Sequence, residues 1–538
     1  MCTPDSRPRR RHGRLLAAAA AVLALTLGTS IVGAQQPGVD VQAYQFRIDL
    51  PDTGHMIRGW ASVLFEARRG FDDTLRLDLV GMTVDHVYDL HTMDRVPFAH
   101  DGRVLKIATR RDVMVEYHGV PADGLIFSTT ARGHRAIFGD NWPNRARYWL
   151  PTVDHPSDKA RVLWSVRAPA GWRVVTNAPE CRGGATSGPL CLESAPMPTY
   201  CMVLGATQLT VSAHRPAIVG SDTIPIEVWA YPEDSAYADR VPFRRATEIV
   251  ETMSRIVGPF PFHRLAHVES STRYGGMENT TAIFYDQGMY LHGTFDEGTV
   301  RHETSHQWFG DAVTERDWHD LWLSEGFASY FDLVIGAALD GDSVLALGMR
   351  ANAESWLRSD VINRPVVDTA EPDPNRLLNA NVYPKGAWVL HMLRETVGDS
   401  AFFRGIREYY RRYRDSTASS DDFQREMERA SGQRLGWFFH QWLRQPGYPQ
   451  LDVTWQADSS AGRVSVAVRQ TEPQAWGRFA IPKVPIEFSR GGRLIARREF
   501  ELMAQPGAQQ VVFALPERPD EVRVDPDGSL LLRATVRH

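Results

Sequence analysis

The sequence is short of several things. It has four cysteines in 538 residues, no internal repeat, no low-complexity tail and, after its first residues, no apolar run long enough to span a bilayer. So few thiols exclude a small domain stapled by disulfides, and the spacing of Cys181, Cys191 and Cys201 fits no zinc finger. Positive charge is also in deficit, with 60 Lys and Arg against 65 Asp and Glu for a net charge of −5. Residues 1–34 carry five of the Arg and one Asp, a net of +4, so without them the charge moves from −5 to −9. An acidic body of this kind argues against nucleic acid as a partner.

What is present is the composition of a folded globular chain, 43% hydrophobic, at a length that suggests three or four domains of about 150 residues. Residues 1–34 run from an Arg-rich head through Leu, Ala and Val to small residues at Val32, Gly33 and Ala34. That is the order of an export signal, with cleavage expected after Ala34 and a secreted or periplasmic destination. An uncleaved membrane anchor is the alternative, against which the shortness of the apolar part counts. In an oxidising compartment Cys181 and Cys191 would close the loop CRGGATSGPLC and leave Cys201 odd; three reduced thiols is the other reading.

From 35 to 232, segments such as YQFRIDL and ASVLFEAR alternate apolar and polar residues between Gly, Pro and Asp, which predicts an N-terminal β-domain. From 233 to 446 the apolar spacing becomes helical, as in SSDDFQREMERASG with Ser and Asp at its start and Gly432 at its end. From 447 to 538 alternation returns in RVSVAVRQ and VPIEFS, which predicts a C-terminal β-sandwich. The fold class is therefore α+β.

The chemistry lies in the stretch 300–331. In HETSH, His302 and His306 are four residues apart, so on a helix both imidazoles leave one face and reach one metal ion, with Glu303 beside them to hold a water. A catalytic zinc site needs a third ligand, and Glu325 in the apolar stretch WLSEGFASYF is the candidate, because a carboxylate there is costly to bury without a cation. A metzincin site is excluded, since it needs Gly at Phe309 and His at Ala312. His319 is near in sequence and is not taken as a ligand. Upstream, Gly275 and Gly276 in YGGMENTT permit close backbone approach to a ligand, with Glu278 able to face the same pocket; a Gly-Gly turn before a solvated Glu is the bland reading. Tyr383, in NVYPKGAWVLHML, reads by itself as packing, and only its context gives the hydroxyl a chemical interest.

Taken in order, GGMEN, HExxH, WLSEGFA and YPKGAWVLHML resemble the M1 family of zinc aminopeptidases, the relatives of aminopeptidase N and leukotriene A4 hydrolase. The resemblance covers essentially all of the chain after residue 34 and implies a thermolysin-like, mostly helical catalytic domain at 233–446. It implies one zinc ion on His302, His306 and Glu325, Glu303 as general base, and Tyr383 as donor to the oxyanion. It further implies that Gly275, Gly276 and Met277 line the peptide, that Glu278 binds its free α-amine, and that the substrate is a peptide with a free N-terminus. Two departures stand out. Counting eleven residues back from Pro151 gives Asp140 where the family often has a Gln that helps hold the amine, so Asp140, or Asn141 beside it, is the expected substitute. Ser324 stands where the family usually has Asn, with little expected effect. Larger members carry a further helical domain; this chain ends about 90 residues after Pro449, so a more open cleft is expected. A thermolysin-like endopeptidase, which has no use for Glu278, and an inactive peptide-binding relative are the competing functions.

Overall fold

The computed structural model describes residues 36–178, 195–458 and 462–538, and the backbone of Cys191–Leu192. The signal read in residues 1–34 and any Cys181–Cys191 bond lie outside the described residues. Cys201 is described: it is a free, buried thiol.

The N-terminal alternation forms strands. In Val39–Asp49 the buried residues are Val41, then Tyr44, Phe46 and Ile48, and a bulge between Val41 and Ala43 keeps both runs on one side. This strand lies parallel to Lys159–Arg167 and antiparallel to Ile57–Ala67, which continues to Val113–Gly119 and Thr83–Asp89. Tyr44, Phe46, Trp149 and Trp164 belong to the core over which this sheet packs. A second sheet runs Arg173–Thr176, Leu204–Thr207, Arg135–Gly139, Leu125–Thr129, and its third strand delivers the chain to Asp140 and Trp142.

The third sheet positions the site. Its order is Thr210–Ala213, Ile226–Ala230, Leu265–Ser270, Ala282–Asp286, Gly276–Met277, with the middle three parallel. Leu265–Ser270 is buried at all six positions, as expected of a parallel strand covered on both faces. The sheet takes strands from both sides of residue 232, where the sequence pattern changes, so that change does not coincide with a break in the structure. Gly276–Met277 is its short antiparallel edge, paired with Tyr285 and Phe284.

The helical segments follow. Ser420–Ser431 starts at a capping box of Ser419 and Asp422 and stops at Gly432, whose φ of 72° suits glycine. Trp322–Asp340 is apolar on most faces and lies in the core. The final residues form a four-stranded and a three-stranded sheet, with Phe488 of one 5.2 Å from Phe513 of the other, so the C-terminal segment is a β-sandwich. Among the described residues no helix is long and apolar enough to cross a membrane.

Candidate active site

The helix Glu297–His306 begins where the Asp296 side chain accepts from the Thr299 N–H at 2.8 Å. One turn apart near its end, His302 and His306 bring their Nε2 atoms to 3.1 Å of each other. Glu325, in the first turn of Trp322–Asp340, places Oε2 3.4 Å from both nitrogens. Ligands arranged tetrahedrally at about 2.0–2.1 Å from a zinc ion stand about 3.3–3.4 Å apart, so this triangle fits such an ion without rearrangement. Glu325 Oε2 is buried without a hydrogen-bond partner of its own, which also fits a cation. His306 Nδ1 faces the Phe309 carbonyl at 3.2 Å and Ser324 Oγ at 2.9 Å. A proton on Nδ1 donated to that carbonyl leaves the Nε2 lone pair directed into the cleft, the tautomer a metal ligand requires.

Glu303 is buried on the same helix and touches the glycine strand. A Cβ on Gly276 would stand 2.1 Å from Glu303 Oε1, so only glycine lets the strand lie against this carboxylate. The close approach permitted by this glycine is thus to Glu303. Gln307, next after His306, donates to the Glu278 carbonyl at 3.0 Å and to Asp311 Oδ2 at 2.7 Å while accepting from the Thr281 N–H at 2.9 Å. It ties the end of GGMEN to the histidine helix. Oxygen atoms of Glu278 and Glu303 and a nitrogen of His306 lie within 4.8 Å of one another. Burial pushes the carboxyl of Glu303 up and that of Glu278 up to about 7; His306 opposes both shifts, and neighbouring carboxylates add to them. Three carboxyls converging in one buried cleft is an arrangement that a cation relieves.

Tyr383 sits on a π-helical turn, Asn381–Lys385, and its hydroxyl donates to Glu325 Oε1 at 3.0 Å, with its ring stacked on His302 at 6.0 Å. Burial raises its pKa well above the ordinary value, so it remains a donor. The turn reaches Glu325 because two glycines meet: a Cβ on Gly326 would stand 2.9 Å from the Gly386 Cα and 3.1 Å from the Val382 carbonyl oxygen. Trp142, Tyr274, Met277 and Leu378 wall the cavity whose remaining lining includes Gly276, Glu278 and the groups above.

Not every expected residue joins them. The Asp140 carboxylate is fully buried but turned to Arg145 Nη2 at 2.5 Å, with the Arg273 N–H at 3.4 Å, and it does not line the cavity. This corrects the expectation of an amine ligand at Asp140: its charge is already compensated by a guanidinium. Asn141, the other candidate, spends its side chain on the Met202 carbonyl and the Trp149 indole. Gly275 is outside the lining and its carbonyl accepts from the Asp286 N–H at 3.1 Å. His319 faces Asp317 and the Glu371 carbonyl, away from the triangle. Sequence reasoning missed Trp142, Tyr274, Leu378, Gln307 and the contact of Ser324 with His306. Gln307, Ser324 and Tyr274 each adjoin a motif, a signal that was there to use; Trp142 and Leu378 carry none.

Residues 244–442 match the peptidase family M1 domain. That segment is therefore a peptidase family M1 domain. The chain is 26% identical over 447 residues to tricorn protease-interacting factor F2 of Thermoplasma acidophilum, covering 78% of this chain and 54% of that protein. It is 26% identical over 415 residues to a leucyl aminopeptidase of Saccharolobus solfataricus, covering 72% and 49%. The chain thus spans about half the length of these curated relatives. The crystal structure of an M1 zinc metallopeptidase from Deinococcus radiodurans superposes with a TM-score of 0.66 at 24% identity, over 76% of this chain and 94% of that one, so the fold is shared. Zinc is the ion that the donor set His302, His306 and Glu325 suits.

Proposed function

We propose that this M1 protein is a zinc aminopeptidase that removes residues one at a time from the free N-terminus of peptides. The observation that carries the reading is the placement of Glu278 in the cleft of the His302, His306, Glu325 triangle, its carboxylate within 4.8 Å of the Glu303 and His306 donors. An α-ammonium is a compact cation that loses its water on entering such a cleft, and a buried carboxylate offsets that cost. An endopeptidase has no use for Glu278.

Zinc, when bound, supplies a Lewis acid and brings the pKa of a water toward about 7. Glu303, buried beside the histidine pair, would accept a proton from an attacking water and pass it to the leaving amine. Glu278 holds the ammonium and so sets which peptide bond reaches Glu303. The edge strand Gly276–Met277 offers its free backbone side to an extended peptide. Tyr383 shifts its hydroxyl from Glu325 to the oxygen that gains charge in the transition state. Trp142, Tyr274, Met277 and Leu378 give the first side chain apolar surroundings.

Release of chromophore from a panel of amino-acid anilides, with and without chelator, tests the reading. Hydrolysis abolished by chelator and impaired by Glu278→Val with zinc retained supports it; hydrolysis indifferent to chelator overturns it. The leader at residues 1–34 supports export of the enzyme, with a mature N-terminus near Gln35. N-terminal sequencing that finds the leader intact on cytoplasmic protein would remove that part.

A further inference from the structure

A hydroxyl that acts on developing charge must be held in place closely. The segment that holds Tyr383 is a single π-helical turn, Asn381–Lys385, interrupted by Pro384. Such a turn has poor hydrogen-bond geometry, and the proline removes a donor, so its position has to come from groups that grip it from outside.

Two side chains of the turn do this. At its start, Asn381 Nδ2 donates to the carbonyls of Val361 at 3.1 Å, Arg364 at 3.0 Å and Pro365 at 3.2 Å, while its Oδ1 accepts from Trp356 Nε1 at 2.8 Å. At its end, the side chain of Lys385 is wholly buried, with Nζ 3.2 Å from the Gly447 carbonyl and 4.8 Å from the centre of the Trp356 ring. Gly447 lies where the chain passes into the β-sandwich. Its φ is +75°, a Cβ there would stand 2.1 Å from Trp476, and its N–H donates to the Ile362 carbonyl at 2.9 Å. The amine therefore ties the turn to a point fixed from two sides.

The choice of residue is specific. Of the 60 Lys and Arg only four are Lys, at 106, 159, 385 and 483, leaving 56 Arg. Burying an ammonium with one carbonyl and one ring face for partners is costly, and an apolar side chain would fill the space without that cost. Burial also pulls this amine down to about 7.

We propose that Lys385 is a positioning residue for Tyr383, holding the π-turn between Trp356 and the Gly447 carbonyl so that the hydroxyl stays on the cleft. The proposal rests on the reading of Tyr383 as the oxyanion donor. The test is a double-mutant cycle on the full chain with an amino-acid anilide, reading kcat, KM and zinc content. Lys385→Met should lower kcat by about tenfold or more with KM within about threefold and zinc unchanged, yet cost less than about twofold in the Tyr383→Phe background. A kcat within twofold of the parent, or an equal loss in both backgrounds, overturns the proposal. Should Lys385→Met fail to fold, Trp356→Phe decides: it removes the indole donor to Asn381 and shrinks the ring face under Lys385, and its loss of kcat should vanish in the Tyr383→Phe background. An equal loss there overturns the proposal as well. If Tyr383→Phe alone leaves kcat unchanged, the role of Tyr383 falls and the positioning role with it, while chelator-sensitive hydrolysis in the same assay shows that the aminopeptidase reading survives.

Discussion

Glu303 and Glu325 lie in one cleft and are expected to respond differently to substitution. Glu303 sits against the Gly276 strand, outside the triangle of donors, so Glu303→Gln should keep zinc and lose about a hundredfold to ten-thousandfold in kcat, the range for a general base. Zinc analysis beside kinetics checks it; retained turnover would mean another base. A second carboxyl gives a prediction on stability. Glu269 accepts from the Tyr231 N–H at 2.9 Å, and burial, with the charge of Asp234 adding, pushes it to about 9. The unfolded chain releases that proton near about 4.3. Between these values the folded state holds a proton that the unfolded state has lost, so the contribution to stability is complete below pH 4 and declines as pH rises to about 9. Glu269→Gln should therefore gain on the parent between pH 5 and pH 9, by at most about 1.4 kcal/mol per unit, in urea melts at each pH. A constant difference across that range would show that Glu269 is already ionised in the folded chain.

At the scale of elements, the site depends on how closely two helices cross. Gly326 and Gly386 meet backbone to backbone, which carries the Tyr383 turn to Glu325. Gly326→Ala puts a Cβ 2.9 Å from the Gly386 Cα, and neither atom is on a side chain that can move aside. The helices must part, at a cost of about 1–3 kcal/mol, and kcat should fall with the displaced hydroxyl. Thermal melts beside kinetics check it, and an unchanged kcat would mean that the turn tolerates the shift. These crossings mark what the sequence could and could not disclose. Elements with local signals were legible: the i, i+4 histidines, the Ser419 and Gly432 caps, the alternating strands. The triangle was legible because HETSH and Glu325 sit on helices whose spacing is regular. Asp140 was misread because its partner Arg145 acts through a loop conformation that no periodicity encodes. Trp142 and Leu378 reach the cavity through tertiary packing alone.

At the scale of the whole molecule, the cleft is assembled from distant parts of the chain: Trp142 from the N-terminal β-region, the GGMEN edge of the mixed sheet, two helices and the π-turn. Its carboxyls and imidazoles converge without a Lys or Arg among the lining residues, so bound zinc should stabilise the fold as well as serve the reaction. Adding zinc to chelated protein should raise the Tm in a concentration-dependent way, by an amount equivalent to about 4 kcal/mol at a thousandfold excess over Kd, and His302→Ala should abolish the rise. A Tm indifferent to zinc would contradict the triangle as a metal site. The central claim is that the cleft reads a free α-ammonium through Glu278, and digestion of one peptide in free and N-acetylated forms, followed by mass spectrometry, tests it most directly. The free peptide should lose residues singly from its N-terminus while the acetylated peptide stays intact; internal cuts, or equal rates for the two forms, would contradict the account.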